Sequence, residues 1–290
     1  MLLAAGTAFL VEYLDDTLKS SEEVTKATGI TMLGAIGRMK ASDPADRLIT
    51  VRHPLSPLSE AYRALRTNLQ FSSVDRPLKS LVITSPNPLE GKSTTLANLG
   101  VVMAQAGKSV VLVDSDLRRP MLHKIFQLSN REGLTSLLLQ DEPALDGKLQ
   151  ETGIQNLRVI TSGPLPPNPS EMLASQKMSR LVDALEEQAD VIIFDSPPVL
   201  PVTDAAVLST HTDGVLIVAD AGRTRRSSAH QASENLQKVG INVVGAVLNR
   251  LSPRRSGSHY YYYYYSEDDQ GRRRKKRWYQ RLPLLNRIRD

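Results

Sequence analysis

The sequence predicts an α/β domain built on a doubly wound, mostly parallel sheet, and three observations carry that prediction. From Leu81 onward, short β-branched runs alternate with stretches of helical periodicity. The runs are continuously apolar, as strands covered on both faces are. One of them, "LVIT", runs into a loop ending Gly91-Lys92-Ser93-Thr94, while "VVLVD" ends in Asp114 and "VIIFD" in Asp195. The order strand, helix, strand, helix selects a layered α/β domain.

The elements follow in turn. "SPLSEAYRALRTNLQFSS" carries apolar residues at helical spacing and is expected to be a helix capped near Ser59. A short linker, "DRPLKS", leads to the first strand at 81–84. Further strands are expected at 110–114, 157–161, 191–195, 214–220 and 243–249. The proline-rich loop "SGPLPPNPSE" at 162–171 leads into a helix near Ser170. Beyond Leu251 periodicity gives way to Ser, Pro, Gly and charge, and residues 253 to about 277 are expected to be disordered. Three segments result: 1–50 ahead of the domain, the domain at 55–252, and a tail at 253–290.

Composition narrows the chemistry. The 290 residues contain no cysteine, which removes disulfides, thiolate metal sites and cysteine nucleophiles together. The net charge of +5 is unevenly placed: the tail from Pro253 carries 11 basic and 4 acidic residues, so the body is mildly acidic. A body of that sign disfavours nucleic acid as its partner; the tail is a cationic arm. The start, "MLLAAGTAFLV", is apolar for 11 residues. As a helix it spans about 16 Å, half of a hydrocarbon core of about 30 Å.

The richest stretch is "LVITSPNPLEGKSTTLANLGVVMAQAGKSVVLVDSDLRRP". A strand, a loop ending in GKST and a helix make a phosphate-binding loop in its structural context. Backbone N–H groups at the helix start can cradle phosphates, Lys92 can reach the β/γ oxygens and Ser93 can ligate Mg²⁺. The strict pattern would have glycine at position 86, where this chain has proline. In a parallel sheet, ligands bind beyond the carboxyl ends of the strands, where Asp114, Asp116 and Asp195 are all expected. Several carboxylates around one triphosphate require a neutralising cation, so Mg²⁺-assisted phosphoryl transfer is the expected chemistry, with ATP and Mg²⁺ as cofactors.

These motifs resemble the bacterial tyrosine kinases, P-loop enzymes of the deviant Walker A type that accompany capsular and extracellular polysaccharide export. "VVLVDSDLRRP" is similar to that family's second motif, "VIIFDSPP" to its Walker B-like motif, and "EAYRALR" to its ExxRxxR subunit-contact motif through Glu60, Arg63 and Arg66. The segment "AFLVEYLDDTLKSSEEVTKATGITMLGAI" resembles the junction after the second membrane helix of the associated chain-length regulator. The likeness covers roughly residues 9 to 265. It implies ATP-dependent tyrosine phosphorylation with Tyr260, Tyr261, Tyr262, Tyr263, Tyr264 and Tyr265 as acceptors, reached in trans. It implies nucleotide contacts from Glu90, Gly91, Lys92, Ser93, Thr94 and, where related ATPases contact adenine, Asn249. The metal falls to Ser93, Asp116 and Asp195, while Asp114 lies nearest the incoming phenol. It further implies a homo-oligomer, with a ring as one form, docked through Glu60, Arg63 and Arg66. A membrane chain-length regulator as activator, a cognate tyrosine phosphatase, and a peripheral place on the cytoplasmic face of the bacterial inner membrane complete the expectation. The chain departs from the family in one place: Leu89 stands where a glycine is usual, and if that position needs positive φ, leucine is costly.

Two other readings compete. A MinD/ParA-like ATPase switch shares the fold, but it carries a signature lysine where this chain has Asn87 and has no use for six tyrosines. A pseudo-kinase scaffold would keep the loop for assembly alone. The terminal "RRRKKRWYQRLPLLNRIRD" mixes basic with aromatic and aliphatic residues, which suits an anionic membrane surface. Single-stranded nucleic acid could be bound by the same ingredients. The membrane is preferred, because the resemblance places the polysaccharide machinery there.

Overall fold

The computed structural model describes residues 15–39, 41, 43–73, 77–140, 145 and 147–252. The tyrosine cluster, the basic run and the apolar start of the chain lie outside the described residues. One sheet of eight strands organises the rest, in the order β1-β8-β7-β2-β6-β3-β5-β4. The strands are β1 (Met32–Gly37), β2 (Ser80–Thr84), β3 (Val110–Asp114), β4 (Gln150–Glu151), β5 (Leu157–Ile160), β6 (Val191–Asp195), β7 (Gly214–Asp220) and β8 (Val243–Leu251). All neighbours pair in parallel except β4 with β5. Helices cover both faces, so side chains from each central strand go both ways. In β3, Val111 and Val113 enter one core while Val110 and Leu112 enter the other.

On the first face lie α1 (Ser21–Thr28), α6 (Leu134–Leu139), α8 (Gln176–Gln188), α9 (Asp204–Ser209) and α10 (Arg226–Lys238). On the second lie α3 (Pro57–Phe71), α4 (Lys92–Gln105) and α5 (Leu122–Ile125), and the short helices α2 (Ile49–Arg52) and α7 (Pro169–Leu173) complete the set. Helix α4 is buried nearly all round from Thr95 to Ala104, which explains why its sequence is apolar on every side. Helix α3 starts earlier than expected. Ser56, not Ser59, is the cap: its hydroxyl accepts the Ser59 N–H, and Pro57 takes the first helical position. Ser59 is buried inside the helix and donates to the His53 carbonyl at 2.7 Å.

The described part of the segment expected ahead of the domain, from residue 15 on, is woven into it. Strand β1 pairs with β8 along Met32–Gly37 and extends the sheet by a full strand. Thr50 and the Arg47 carbonyl are both held by Asn98 of α4, through bonds of 2.7–3.1 Å. Leu18 N–H donates to the Thr224 carbonyl, and Leu18 O accepts from Gly222. Residue 50 therefore does not mark a break in the fold. Among the described residues no helix is long and apolar enough to cross a membrane.

Candidate active site

At the carboxyl edge of the sheet, β2 ends at Thr84 and the loop 85–91 delivers the chain into α4. Gly91 sits at φ 98°, and a Cβ there would stand 2.1 Å from the Asn249 side-chain nitrogen, so the position requires glycine on both counts. Leu89 adopts φ 67° and is 64% exposed. The positive φ feared from the sequence is therefore real, and leucine bears it at roughly 1–2 kcal/mol. Neighbouring groups hold the loop in place. The Arg250 guanidinium donates to the Leu89 carbonyl at 2.8 Å and pairs with Asp220, while Asn249 donates to the Glu90 carbonyl at 2.9 Å. The Glu90 carboxylate turns inward, accepting the Asn87 N–H at 2.9 Å and the Thr224 hydroxyl at 2.6 Å. Burial raises its pKa against those two partners. Glu90, expected among the nucleotide contacts, thus braces the loop from beneath.

The carboxylates converge beside this loop. Asp114 and Asp195 are register partners on adjacent strands, both fully buried. Asp116 lies 3.8 Å from the Lys92 ammonium and accepts the Arg119 N–H at 2.9 Å, which turns the "DLRRP" segment. One oxygen of Asp114 accepts the N–H groups of Met121 and Leu122 at 2.8–2.9 Å. Its other oxygen and both oxygens of Asp195 have no hydrogen-bond partner, although the Ser93 hydroxyl stands beside Asp195. Burial first, and then mutual repulsion with Asp195 and Asp116, pushes Asp114 well above the usual carboxylate range. Asp195 is raised by burial and by Asp116 and lowered by Lys92. The two partnerless oxygens of Asp195, beside the Ser93 hydroxyl, are hard oxygen donors of the kind Mg²⁺ takes, a cation that usually keeps several waters and adds phosphate oxygens.

A pocket of about 360 Å³ opens above these groups. Pro88, Leu89, Gly91, Lys92, Ser93 and Thr94 form one wall, with Asp116, Arg119, Asn249 and Arg250 around them. Met39, Ala41 and Arg47 from the N-terminal segment close another side. Asp114 does not reach this surface. Asp114, expected nearest the incoming phenol, is fully buried, and one of its oxygens binds the turn at Met121. Arg118 faces away from the pocket and forms a two-pronged pair with buried Asp204 at 2.8 and 3.0 Å, joined by the Ser170 hydroxyl. Arg119, Arg250, Asp220 and Thr224 were not singled out in the sequence. "RRP" was a signal for the first, but nothing local marks the others.

The comparisons with known proteins agree with this geometry. The AAA domain family matches residues 90–242. Tyrosine-protein kinase YwqD of Bacillus subtilis is 44% identical over 215 residues, 74% of this chain and 90% of that protein. The chain belongs to the bacterial tyrosine kinases. Its fold agrees with solved members: the chimerical protein CapA2B2 superposes with a TM-score of 0.75 at 39% identity, covering 80% of this chain and all of that one. The kinase domain of Escherichia coli tyrosine kinase ETK gives 0.75 at 31% identity, covering 83% and 98%. MinD of Pyrococcus horikoshii, at 22% identity and a TM-score of 0.51, shares the fold alone. In this kinase the ExxRxxR residues lie on α3. Glu60 pairs with Arg63, which also donates to the Pro54 carbonyl at 2.9 Å, and Arg66 donates to Val102 O at 2.9 Å.

Proposed function

We propose that the chain is an ATP-dependent kinase that phosphorylates Tyr260 to Tyr265 on another copy of itself. From the cytoplasmic face of the membrane it would regulate the polymerisation and export of capsular or extracellular polysaccharide. The observation that carries this reading is where the tail begins. Strand β8 ends beside the pocket that Asn249 and Arg250 line, and Tyr260 follows only eight residues after Ser252, up to about 29 Å of extended chain. That length of chain is enough to carry the acceptor hydroxyls to a neighbouring site.

In this reading Lys92 and the N–H groups of residues 91–94 would hold the phosphates, while Ser93 and Asp195 would hold Mg²⁺ and Asp116 would support it through water. Bound Mg²⁺ and ATP supply the transferable phosphoryl group. The phenol oxygen forms the new bond to phosphorus as the bond to the ADP oxygen breaks, and the phenol proton passes to Asp116 at the pocket surface. A phenol of pKa near 10 needs such an acceptor or orienter. Glu60, Arg63 and Arg66 dock neighbouring copies, a membrane activator completes the complex, and a cognate phosphatase resets the tail. The basic end from Arg272 anchors it to anionic lipid.

Intact and tryptic mass spectrometry of the full chain with Mg²⁺ and ATP, beside Lys92→Met, tests this directly. Phosphates on Tyr260–Tyr265 that vanish in the variant are expected. ATP hydrolysis with bare tyrosines, even with an activator fragment added, would replace the proposal with an ATPase switch.

A further inference from the structure

A second cleft, of about 420 Å³, adjoins the phosphate loop. Asn87, Pro88, Leu89, Arg223, Arg225 and Ser228 line it. Pro88 and Leu89 line both cavities and form the wall between them. The three arginines of this region differ. Arg226 pairs with Glu23 at 3.2 Å, whereas the exposed side chains of Arg223 and Arg225 form no ion pair or hydrogen bond among the described residues. The cleft thus presents two exposed guanidinium groups without a direct ion pair, Arg223 lying near enough to Asp220 to help lower its carboxyl, together with one hydroxyl and, from Leu89, an exposed apolar side chain that a glycine could not supply.

We propose that this cleft binds the chain's own tail once it is phosphorylated, taking a phosphotyrosine between Arg223 and Arg225 with the ring against Leu89. The inference rests on the kinase reading above. Guanidinium groups bind phosphate through paired hydrogen bonds, and each phosphate adds about −1.5 to −2 charges. Glu267, Asp268 and Asp269, just after the tyrosines, add to the complementarity. Reach permits it: the described chain ends at Ser252, two residues past Arg250, whose guanidinium touches Leu89 O on the shared wall. The span of about 29 Å to Tyr260 can turn back to the cleft. A phosphorylated tail held there is kept from entering a neighbouring site, so the product of the reaction ends the tail's service as substrate.

The test uses the dephosphorylated full chain saturated with Mg²⁺ and ADP, so that the nucleotide pocket is filled. A synthetic peptide of residues 258–269, with phosphotyrosine at positions 262 and 264, is titrated by calorimetry beside its unphosphorylated form. The phosphopeptide is expected to bind at least about tenfold tighter, and Arg223→Gln/Arg225→Gln should abolish that preference while ADP affinity is unchanged, as charge-assisted phosphate recognition requires. Equal affinity for the two peptides, or a preference surviving in the double variant, overturns the proposal. Competition by an equal concentration of inorganic phosphate also overturns it, since that indicates mere anion adsorption. Because the peptide is made chemically, the two readings separate. A tail that is phosphorylated in the mass spectra, with no arginine-dependent binding, removes the cleft alone. A bare tail with arginine-dependent binding removes autophosphorylation alone.

Discussion

Leu89 and Gly91 sit two residues apart in the same loop, both at positive φ, yet they differ in what they tolerate. Leu89 is exposed and meets its constraint through its carbonyl, which Arg250 holds. Leu89→Gly should therefore be within about 1 kcal/mol of the parent by urea denaturation, relief of left-handed strain offsetting the entropy of a glycine. Leu89→Val should cost about 1–2 kcal/mol, because a β-branched residue resists that region more strongly. Gly91→Ala meets both the wrong φ and the Asn249 side chain at 2.1 Å. It should weaken ADP binding at least about tenfold by titration, since the displaced N–H groups cradle the phosphates. At this scale the placement of Lys92, Ser93 and the three aspartates at the carboxyl edge of the sheet was legible in the sequence, from their positions at strand ends and a helix start. Partners separated by a hundred residues or more, such as Thr224 on Glu90, were not legible, because nothing in a local pattern records a tertiary hydrogen bond.

Among the elements, the turn after β3 is fastened to α7 and α9 through Arg118, Ser170 and Asp204. Burial alone would raise the Asp204 carboxyl, but its bonds to Arg118 and Ser170 outweigh burial and hold it below the ordinary value. A depressed folded pKa contributes stability that is present above the unfolded value near 3.8 and lost as pH falls through the folded one. Arg118→Ala leaves this carboxylate buried without its cation and should cost about 3 kcal/mol at pH 7, with the deficit shrinking below pH 4. Thermal or urea melts across pH 3–7 check the sign. The strands from β2 to β8 were readable as apolar runs, with the exception of the two-residue edge strand β4, too short to carry a pattern. Helix α1 carries a legible start and stop, Ser20 accepting the Glu23 N–H and Gly29 at φ 70° ending it. Strand β1, "MLGAIG", contains two glycines that weaken its β signature, and it is fixed by pairing with β8.

Across the whole molecule, the described residues between 15 and 50 are part of the kinase fold: they supply an edge strand, a wall of the nucleotide pocket and the strap from Leu18 to the 222–224 turn. Removing residues 1–38 would expose β8 and delete Leu18, Val24, Leu33 and Ile36 from the two cores. At roughly 1.5–3 kcal/mol per buried aliphatic side chain, the truncated chain should melt at least about 10 °C lower or fail to fold, as scanning calorimetry would register. The same strap joins the N-terminal segment to Thr224, whose hydroxyl reaches Glu90 beneath the phosphate loop, so the loss should also weaken ADP binding. The central claim concerns two copies at once: the site of one acts on the tail of another. The most direct measurement mixes wild-type chain with isotopically heavy Lys92→Met chain, adds Mg²⁺ and ATP, and reads the tail peptides by mass. Phosphates on Tyr260–Tyr265 of the heavy, inactive chain are the predicted result. Phosphates confined to the light chain would contradict transfer between copies.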